Sequence, residues 1–218
     1  MMTDSDSSAS SAVSRIVEIS HELQAIAACG KQYAKNQFDI EHFDSVNKLA
    51  AELLTLAVND MPLESAVKLF EDNEGYQTPK IDTRAVIFNE RDEVLLVRDY
   101  DGKWALPGGW CDYDQSIVSN TVKEAYEEAG LRVKPLRLAA AHSHKMRNNP
   151  NSFFSVMRFF MLCEVESGEF TANSETSESA YYPVDALPSD LNFHKATPEQ
   201  IKRCLACWKD SSMMPEID

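Results

Sequence analysis

Glu124, Glu127 and Glu128 lie close together near the end of the segment Trp104–Leu131, WALPGGWCDYDQSIVSNTVKEAYEEAGL. On a helix advancing roughly 100° per residue, their carboxylates fall within an arc of about 100°. Val118, Val122, Ala125 and Ala129 share the opposite side. The pattern predicts a helix that buries one face and presents clustered carboxylates on the other. Like charges at the i,i+4 positions Glu124 and Glu128 repel, and Lys123 offsets this only through a weakly oriented i,i+4 pair with Glu127. A cation would relieve the cluster. Hard divalent ions suit it, because Mg²⁺ takes carboxylate oxygens, keeps several waters and binds phosphates in its open positions. The preceding Pro107-Gly108-Gly109 turn lets a backbone carbonyl approach such an ion without a Cβ in the way. The alternative is a solvated acidic helix face.

The spacing resembles the Nudix box, G-x5-E-x7-R-E-U-x-E-E-x-G-U, where U is a bulky apolar residue. The matching positions are Gly109, Gln115, Lys123, Glu124, Ala125, Glu127, Glu128, Gly130 and Leu131. Gln115 stands where the family has Glu, and Lys123 where it has Arg. The resemblance implies that Glu124, Glu127, Glu128 and the Gly108 carbonyl hold Mg²⁺ or Mn²⁺. The departures affect supporting positions, where a lysine cannot reproduce the forked pairing of a guanidinium. The implied activity is metal-dependent hydrolysis of the pyrophosphate bond of a nucleoside diphosphate linked to another moiety, of the ADP-ribose or CDP-choline type. Two alternatives stay open. One is a catalytically weak domain sensing a nucleotide ligand, and the other is a pyrophosphohydrolase of RNA 5′ ends or nucleoside triphosphates.

Glu175 and Glu178 precede the aromatic run Tyr181-Tyr182. This is similar to the segment after the box in many Nudix enzymes, where an acid sits near the metals or serves as base. Glu178 is therefore placed with Glu124, Glu127 and Glu128 as a catalytic candidate, with Glu175 as the other possibility. Between Leu131 and Arg158 there is no acidic residue, yet Arg132, Lys134, Arg137, Lys145, Arg147 and Arg158 occur there with His142 and His144. In an acidic chain this is the local positive region that a phosphate substrate requires, with the loop from His142 to Ser152 reaching it. A strand edge protected by charge is the competing explanation. Arg84, Trp110, His144, Arg147 and Arg158 are the expected substrate-binding residues. Both histidines read as loop hydrogen-bonders, since a Mg²⁺ site prefers oxygen. Trp110, Phe153, Phe154 and Tyr181 are candidates to stack a base or to fill the core.

The elements that must position these residues follow from periodicity. The chain has 218 residues and a formal net charge of −14, which argues against stable nucleic-acid binding. No apolar run is long enough to span a bilayer, and the Ser-rich, acidic start MMTDSDSSASSAVSR does not read as a signal peptide. A disordered tail over residues 1–12 and a cytoplasmic location are expected. Five scattered cysteines fit reduced thiols, with Cys204 and Cys207 as packing residues of a C-terminal helix over about Pro198 to Trp208. Ile16, Ile19, Leu23 and Ile26, then Phe43 to Ala57, then Leu63 to Phe70, predict three helices. The stretch from Leu23, LQAIAACGKQYAKNQFDIEHFDSVNKLAAELL, resembles the N-terminal helical domain of a bacterial Nudix subgroup that hydrolyses nucleoside diphosphates linked to another group. Its apolar faces make a homodimer the expected assembly.

Asn73 to Thr83 reads as a linker, and Arg84–Phe88 with Val94–Arg98 as a hairpin around Asn89-Glu90-Arg91-Asp92. Trp104–Pro107, Leu131–Ala141, Phe153–Val165 and Ala180–Val184 are the further expected strands. Strands interleaved with two main helices predict an α/β unit with a mixed sheet covered on both faces. The resemblance makes this a Nudix α/β/α sandwich, preceded by a small all-α domain. The expected divisions are a tail at 1–12, a helical domain at 13–74 and a hydrolase domain at 75–218.

Overall fold

The computed structural model describes residues 4–58, 61–71, 75, 77–150, 152 and 155–218. It forms two compact units, Met1–Thr78 and Pro79–Asp218. The first unit is helical: α1 (Asp4–Tyr33), α2 (Gln37–Ala57) and α3 (Leu63–Glu71). Helix α1 takes in residues 4–12 of the stretch expected to be a disordered tail, while residues 1–3 lie outside the described residues. Extending a formed helix by one residue adds one hydrogen bond per residue fixed, so a helix readily propagates past its apolar stripe. Asn36 caps α2 by accepting from the Asp39 N–H at 2.9 Å. Gly30 allows α1 and α2 to approach closely, since a Cβ there would fall 2.2 Å from the Phe43 ring. The Ser20 hydroxyl donates to the Ala50 carbonyl at 2.7 Å across the same contact. The buried side of α1 is Val17, Ser20, Gln24 and Ala27, so the expected stripe is only partly consumed within the unit. Ile26, Leu49 and Leu56 are 61%, 61% and 77% exposed.

In the second unit, one sheet has the order β1-β5-β4-β7: β1 (Lys80–Ile87), β5 (Val156–Gly168), β4 (Leu131–Ser143) and β7 (Glu216–Ile217). β5 runs parallel to β1 and antiparallel to β4, and β7 runs parallel to β4. A second, antiparallel sheet has the order β3-β2-β6: β3 (Trp104–Ala105), β2 (Glu93–Asp99) and β6 (Thr176–Pro183). The period-2 alternation sorts apolar residues into two layers. Val86, Val94, Leu96, Phe160 and Leu162 pack with Ile201, Cys204 and Cys207 of α6 (Pro198–Lys209). Ala85, Ile87, Leu95, Val97, Met161 and Cys163 pack with Ala125 and Ala129 of α4 (Ile117–Ala129). This is the expected α/β/α sandwich with mixed strands.

The local pairing departs from expectation in three places. The Asn89–Glu93 turn forms, but β1 and β2 share only the bridge Phe88–Val94 and then join different sheets. β1 is buried on both faces over Asp82–Ile87, as a central strand requires, so its partners come from distant sequence. Of the presumed linker, residues 73, 74 and 76 lie outside the described residues, and Lys80–Thr83 belong to β1. β4 continues through His142 to Ser143 and is followed by a short helix α5 (His144–Arg147), so neither histidine lies in an open loop.

Candidate active site

The other edge of β1 pairs with the glycine turn, through Ala85 N–H to Pro107 O (2.8 Å), Thr83 N–H to Gly109 O (2.9 Å) and Cys111 N–H to Ile81 O (2.9 Å). Gly108 has φ +144°, and a Cβ there would lie 2.0 Å from the Thr83 carbonyl. Only glycine fits that position. Helix α4 starts at a capping box of Ser116 and Ser119 and stops at Gly130, whose φ is +69°. The Asn120 amide anchors α4 to the Thr83 hydroxyl at 2.8 Å, and the Thr176 hydroxyl donates to the Glu128 carbonyl at 2.6 Å.

The buried face of α4 is rotated from the expected one. Val118 is 50% exposed, while Asn120, Thr121, Glu124 and Glu128 are buried beside Ala125 and Ala129. Glu124 and Glu128 are each 7% exposed, which excludes a solvated face for two of the three carboxylates. The reason is local: Gly108 and Gly109 present bare backbone to this side of the helix. A Cβ on Gly109 would lie 2.8 Å from Glu124 Oε2, and the Gly108 N–H donates to Glu128 Oε2 at 2.7 Å. Burial pushes the Glu128 carboxyl up to about 7, against the Gly108 N–H, Arg84 and Lys195, and burial also raises Glu124. Two carboxyls disfavoured by burial, both lining the cleft and both offering hard oxygen donors, fit a divalent cation. The Gly108 carbonyl accepts from Arg84 Nη1.

Glu127 is exposed, and its carboxylate meets Lys123 Nζ at 3.2 Å. Among the described residues, no three His, Cys, Asp or Glu side chains converge as a preformed metal cage. Lys123 does more than the expected single pair, since Nζ also reaches Asp112 at 2.9 Å and Glu124 at 3.4 Å. These carboxylates raise its pKa, led by the hydrogen bond to Asp112. Asp112, rather than Gln115, supplies the acid beside this cation; Gln115 lies in the turn closed by its N–H to the Asp112 carbonyl at 3.0 Å.

Below the turn, Asp82 accepts a fork from each of two arginines. Arg84 donates from Nε at 2.9 Å and Nη2 at 2.6 Å, and Arg158 from Nε at 3.0 Å and Nη2 at 3.2 Å. All three side chains are buried. Burial opposes the charge on Asp82, but the two guanidiniums outweigh it and hold the carboxyl below its ordinary range. The remaining donors brace backbone, with Arg84 Nη1 on the Leu106 and Gly108 carbonyls and Arg158 Nη1 on His194 O at 2.8 Å.

A cleft of about 510 Å³ opens over this arrangement, with Glu124, Glu128, Gly108, Arg84, Arg158 and Lys195 in its wall. Trp110, His144 and Glu175 also face it. The Trp110 ring is half exposed and its backbone bridges Asp82. His144 is buried, which with nearby Arg158 pushes its pKa down.

Other expected residues do not reach the cleft. Arg147 pairs with Asp218 at 2.5 Å and Glu216 at 2.8 Å. Glu178 lies opposite Arg98 in the β2–β6 register and pairs with it at 3.0 Å, so Glu175 is the acid at the cleft. The strand geometry decides this, because a directly opposed pair of unlike charges satisfies both. Arg137 braces the end of α6 through the Asp210 and Ser211 carbonyls, and Arg132 stacks over Tyr126. Tyr181 packs against the α4-side core, and Phe153 and Phe154 lie outside the described residues. The run of basic residues therefore does not form one phosphate-facing patch.

Asp82, Asp112 and Lys195 were not singled out in the sequence. Alternation in β1 could have flagged Asp82, since Asp82 and Arg84 share a face of a strand that continues as the apolar run Ala85-Val86-Ile87. Nothing local marks Lys195, whose partner Asp99 lies 96 residues away.

The fold and this site agree with a direct family match: residues 78–204 match the NUDIX domain. The chain belongs to the Nudix family and is a pyrophosphohydrolase of that family. Residues 14–70 match a second family, the UDP-X-like N-terminal oligomerisation domain. YjhB of Bacillus subtilis (strain 168) is 33% identical over 186 residues, covering 85% of this chain and 88% of YjhB. A solved ADP-ribose pyrophosphatase from Streptococcus suis 89-1591 is 47% identical, covers 65% of this chain and 100% of its own, and has a TM-score of 0.59. A solved UDP-X diphosphatase is 28% identical over 94% of this chain and 99% of its own, with a TM-score of 0.61.

Proposed function

We propose that this protein hydrolyses the pyrophosphate bond of a nucleoside diphosphate linked to another moiety, with ADP-ribose the leading substrate. The observation that carries this reading is the pair of buried carboxylates, Glu124 and Glu128, facing a cleft beside the Gly108-Gly109 turn. Glu124, Glu127 and Glu128 would hold Mg²⁺ or Mn²⁺, with the Gly108 carbonyl alongside. When bound, the ion supplies charge neutralisation for the diphosphate and acidifies water. The chain's own residues do the rest. Arg84 and Arg158 carry net positive charge into the cleft wall, since Asp82 balances only one of them. Trp110, half exposed at the cleft, would receive a base or ribose, and Glu175, which lines the same cleft, would take a proton from the attacking water.

The similarity to an ADP-ribose pyrophosphatase and to a UDP-X diphosphatase supports the diphosphate-linked class. The oligomerisation-domain match, with Ile26, Leu49 and Leu56 exposed, supports a homodimer built through the helical unit. The five unpaired cysteines support a reducing, cytoplasmic setting.

The test is a panel of ADP-ribose, CDP-choline and UDP-sugars, with nucleoside triphosphates as controls, incubated with Mg²⁺ or Mn²⁺ and separated by chromatography. Two monophosphate products from a diphosphate-linked compound are expected. Their rate of formation should fall by about a hundredfold or more in Glu127→Gln and Glu128→Gln while circular dichroism stays native. Turnover confined to triphosphates, or undiminished in both variants, overturns the assignment.

A further inference from the structure

The acidic chain brings little positive charge to its cleft, and most of that is already engaged. Arg84 and Arg158 each give Nε and Nη2 to Asp82 and use Nη1 on backbone carbonyls. Arg147 is held by Asp218 and Glu216, and Lys123 sits among Asp112, Glu124 and Glu127. Among the described residues lining the cleft, Lys195 is the only lysine.

Its backbone is fixed by a turn. The N–H groups of Lys195 and Ala196 both donate to the Asn192 carbonyl, at 2.9 and 3.0 Å, and the Asn192 N–H donates to Trp104 O at 2.8 Å. The Asn192 side chain also accepts from the His194 N–H at 3.2 Å. The preceding residue, His194, gives its carbonyl to Arg158. This turn is therefore tied to β3 on one side and to the Asp82 cluster on the other. Asp99, at the end of β2, then holds Lys195 Nζ at 2.5 Å. The Asp99 side chain is 13% exposed and that of Lys195 is 30% exposed. An ammonium has three donors, and this contact uses one. A lysine whose backbone is braced and whose partly exposed side chain lines the cleft with buried carboxylates has lost part of the entropy that binding would otherwise cost.

We infer that Lys195 is a substrate-anchoring residue: its ammonium, steadied by Asp99, binds a phosphoryl oxygen of the diphosphate substrate. The inference rests on the hydrolase reading above and adds a residue and a contact to it. Asp99 holds the ammonium in the absence of substrate. It also sets affinity, because its carboxylate competes with the phosphoryl oxygen for the same ammonium. A structural salt bridge and a substrate anchor then respond differently to the two halves of the pair.

Steady-state kinetics on whichever diphosphate-linked compound the wild-type protein turns over separates them. Lys195→Ala should raise KM about tenfold to a hundredfold, the scale of one charge-assisted hydrogen bond, with kcat changed less. Lys195→Arg should recover most of the loss. Asp99→Asn should leave KM unchanged or lower it, because the ammonium is released toward substrate. Mn²⁺ affinity, read by electron paramagnetic resonance on the full chain, should be unchanged in all three, and thermal melts should show that each is folded. Equal KM increases in Lys195→Ala and Asp99→Asn would make the pair merely structural and overturn the inference, as would an unmoved KM in Lys195→Ala. A wild-type protein that neither binds nor cleaves any compound of the panel breaks the hydrolase reading itself, an outcome distinct from failure of the lysine.

Discussion

Helices α4 and α6 are near equals in construction and opposites in content. They have 13 and 12 residues, each opens with a capping box, and they cover opposite faces of the same strands. α6 buries Ile201, Cys204 and Cys207, with Gln200 as its polar exception. α4 buries Asn120, Thr121, Glu124 and Glu128 beside two alanines. A buried thiol behaves as a small apolar group, whereas a buried carboxylate needs a partner or a proton. The α6 face thus contributes to stability, and the α4 face gives up stability to hold charge at a cleft. The pair shows that amphipathic packing alone does not mark a functional helix; the kind of group buried does.

The strongest challenge to this contrast comes from the support beneath α4. Asp82→Asn removes the shared anion from two buried guanidiniums and should cost about 3–5 kcal/mol, the scale for breaking a buried ion pair from one side. Chemical denaturation measures it, and a loss under about 1 kcal/mol, the range of exposed pairs, would mean that the cluster is not a structural keystone of the site. Glu128→Gln should act in the other sense, lowering kcat by about a hundredfold or more, as loss of one preorganised electrostatic group does. Its melting temperature should be equal to or above that of the wild type, since an amide is buried without a charge; a marked fall would assign Glu128 to the scaffold. On the opposite face, Cys204→Ser places a hydroxyl in an apolar layer and should cost about 1–3 kcal/mol, with kcat and KM of the folded enzyme unchanged. A kinetic defect there would erase the division between the two faces.

The smallest effect concerns pH on the α6 side. His142 packs edge-on to Phe160 and meets Gln200 Nε2 at 3.2 Å. Burial, with help from Arg147, pushes its pKa below the ordinary 6.5. The unfolded chain therefore protonates first as pH falls. The stability of the neutral ring is present above about 6.5 and is lost as pH falls from there through the folded value. Over that window this contribution lowers the melting temperature, while protonation of Glu128, raised to about 7, works in the opposite sense. His142→Asn should remove the first contribution and so shift the net slope toward stabilisation on acidification. An unchanged slope would show that His142 is not the group that titrates.

Much of the scaffold was legible because it is written in short-range periodicity. Helices α2, α3, α4 and α6 fall where apolar spacing, caps and Gly130 place them, and strands β4 and β5 lie near their expected spans. The segment from Arg84 to Arg98 turns as a hairpin would but does not pair as one, because a turn signal fixes only the turn. Which sheet each strand joins depends on β5 and β6, contributed by distant parts of the chain. Spacing does not separate Glu178 from Glu175, since only the opposed position of Arg98 in the register pairs Glu178.

By itself, the sequence determined the helix bearing Glu124, Glu127 and Glu128, the glycine turn before it and the helical unit ahead of both, because each depends on neighbours a few residues apart. Tertiary structure alone decided that Glu124 and Glu128 are buried while Glu127 is exposed, that the basic run from Arg132 to Arg158 is divided among separate partners, and that Lys195 reaches the cleft. The physical reason is that a charge is assigned by whatever lies within a few ångströms in space. For Arg158 and Lys195 those partners, Asp82 and Asp99, are 76 and 96 residues away along the chain.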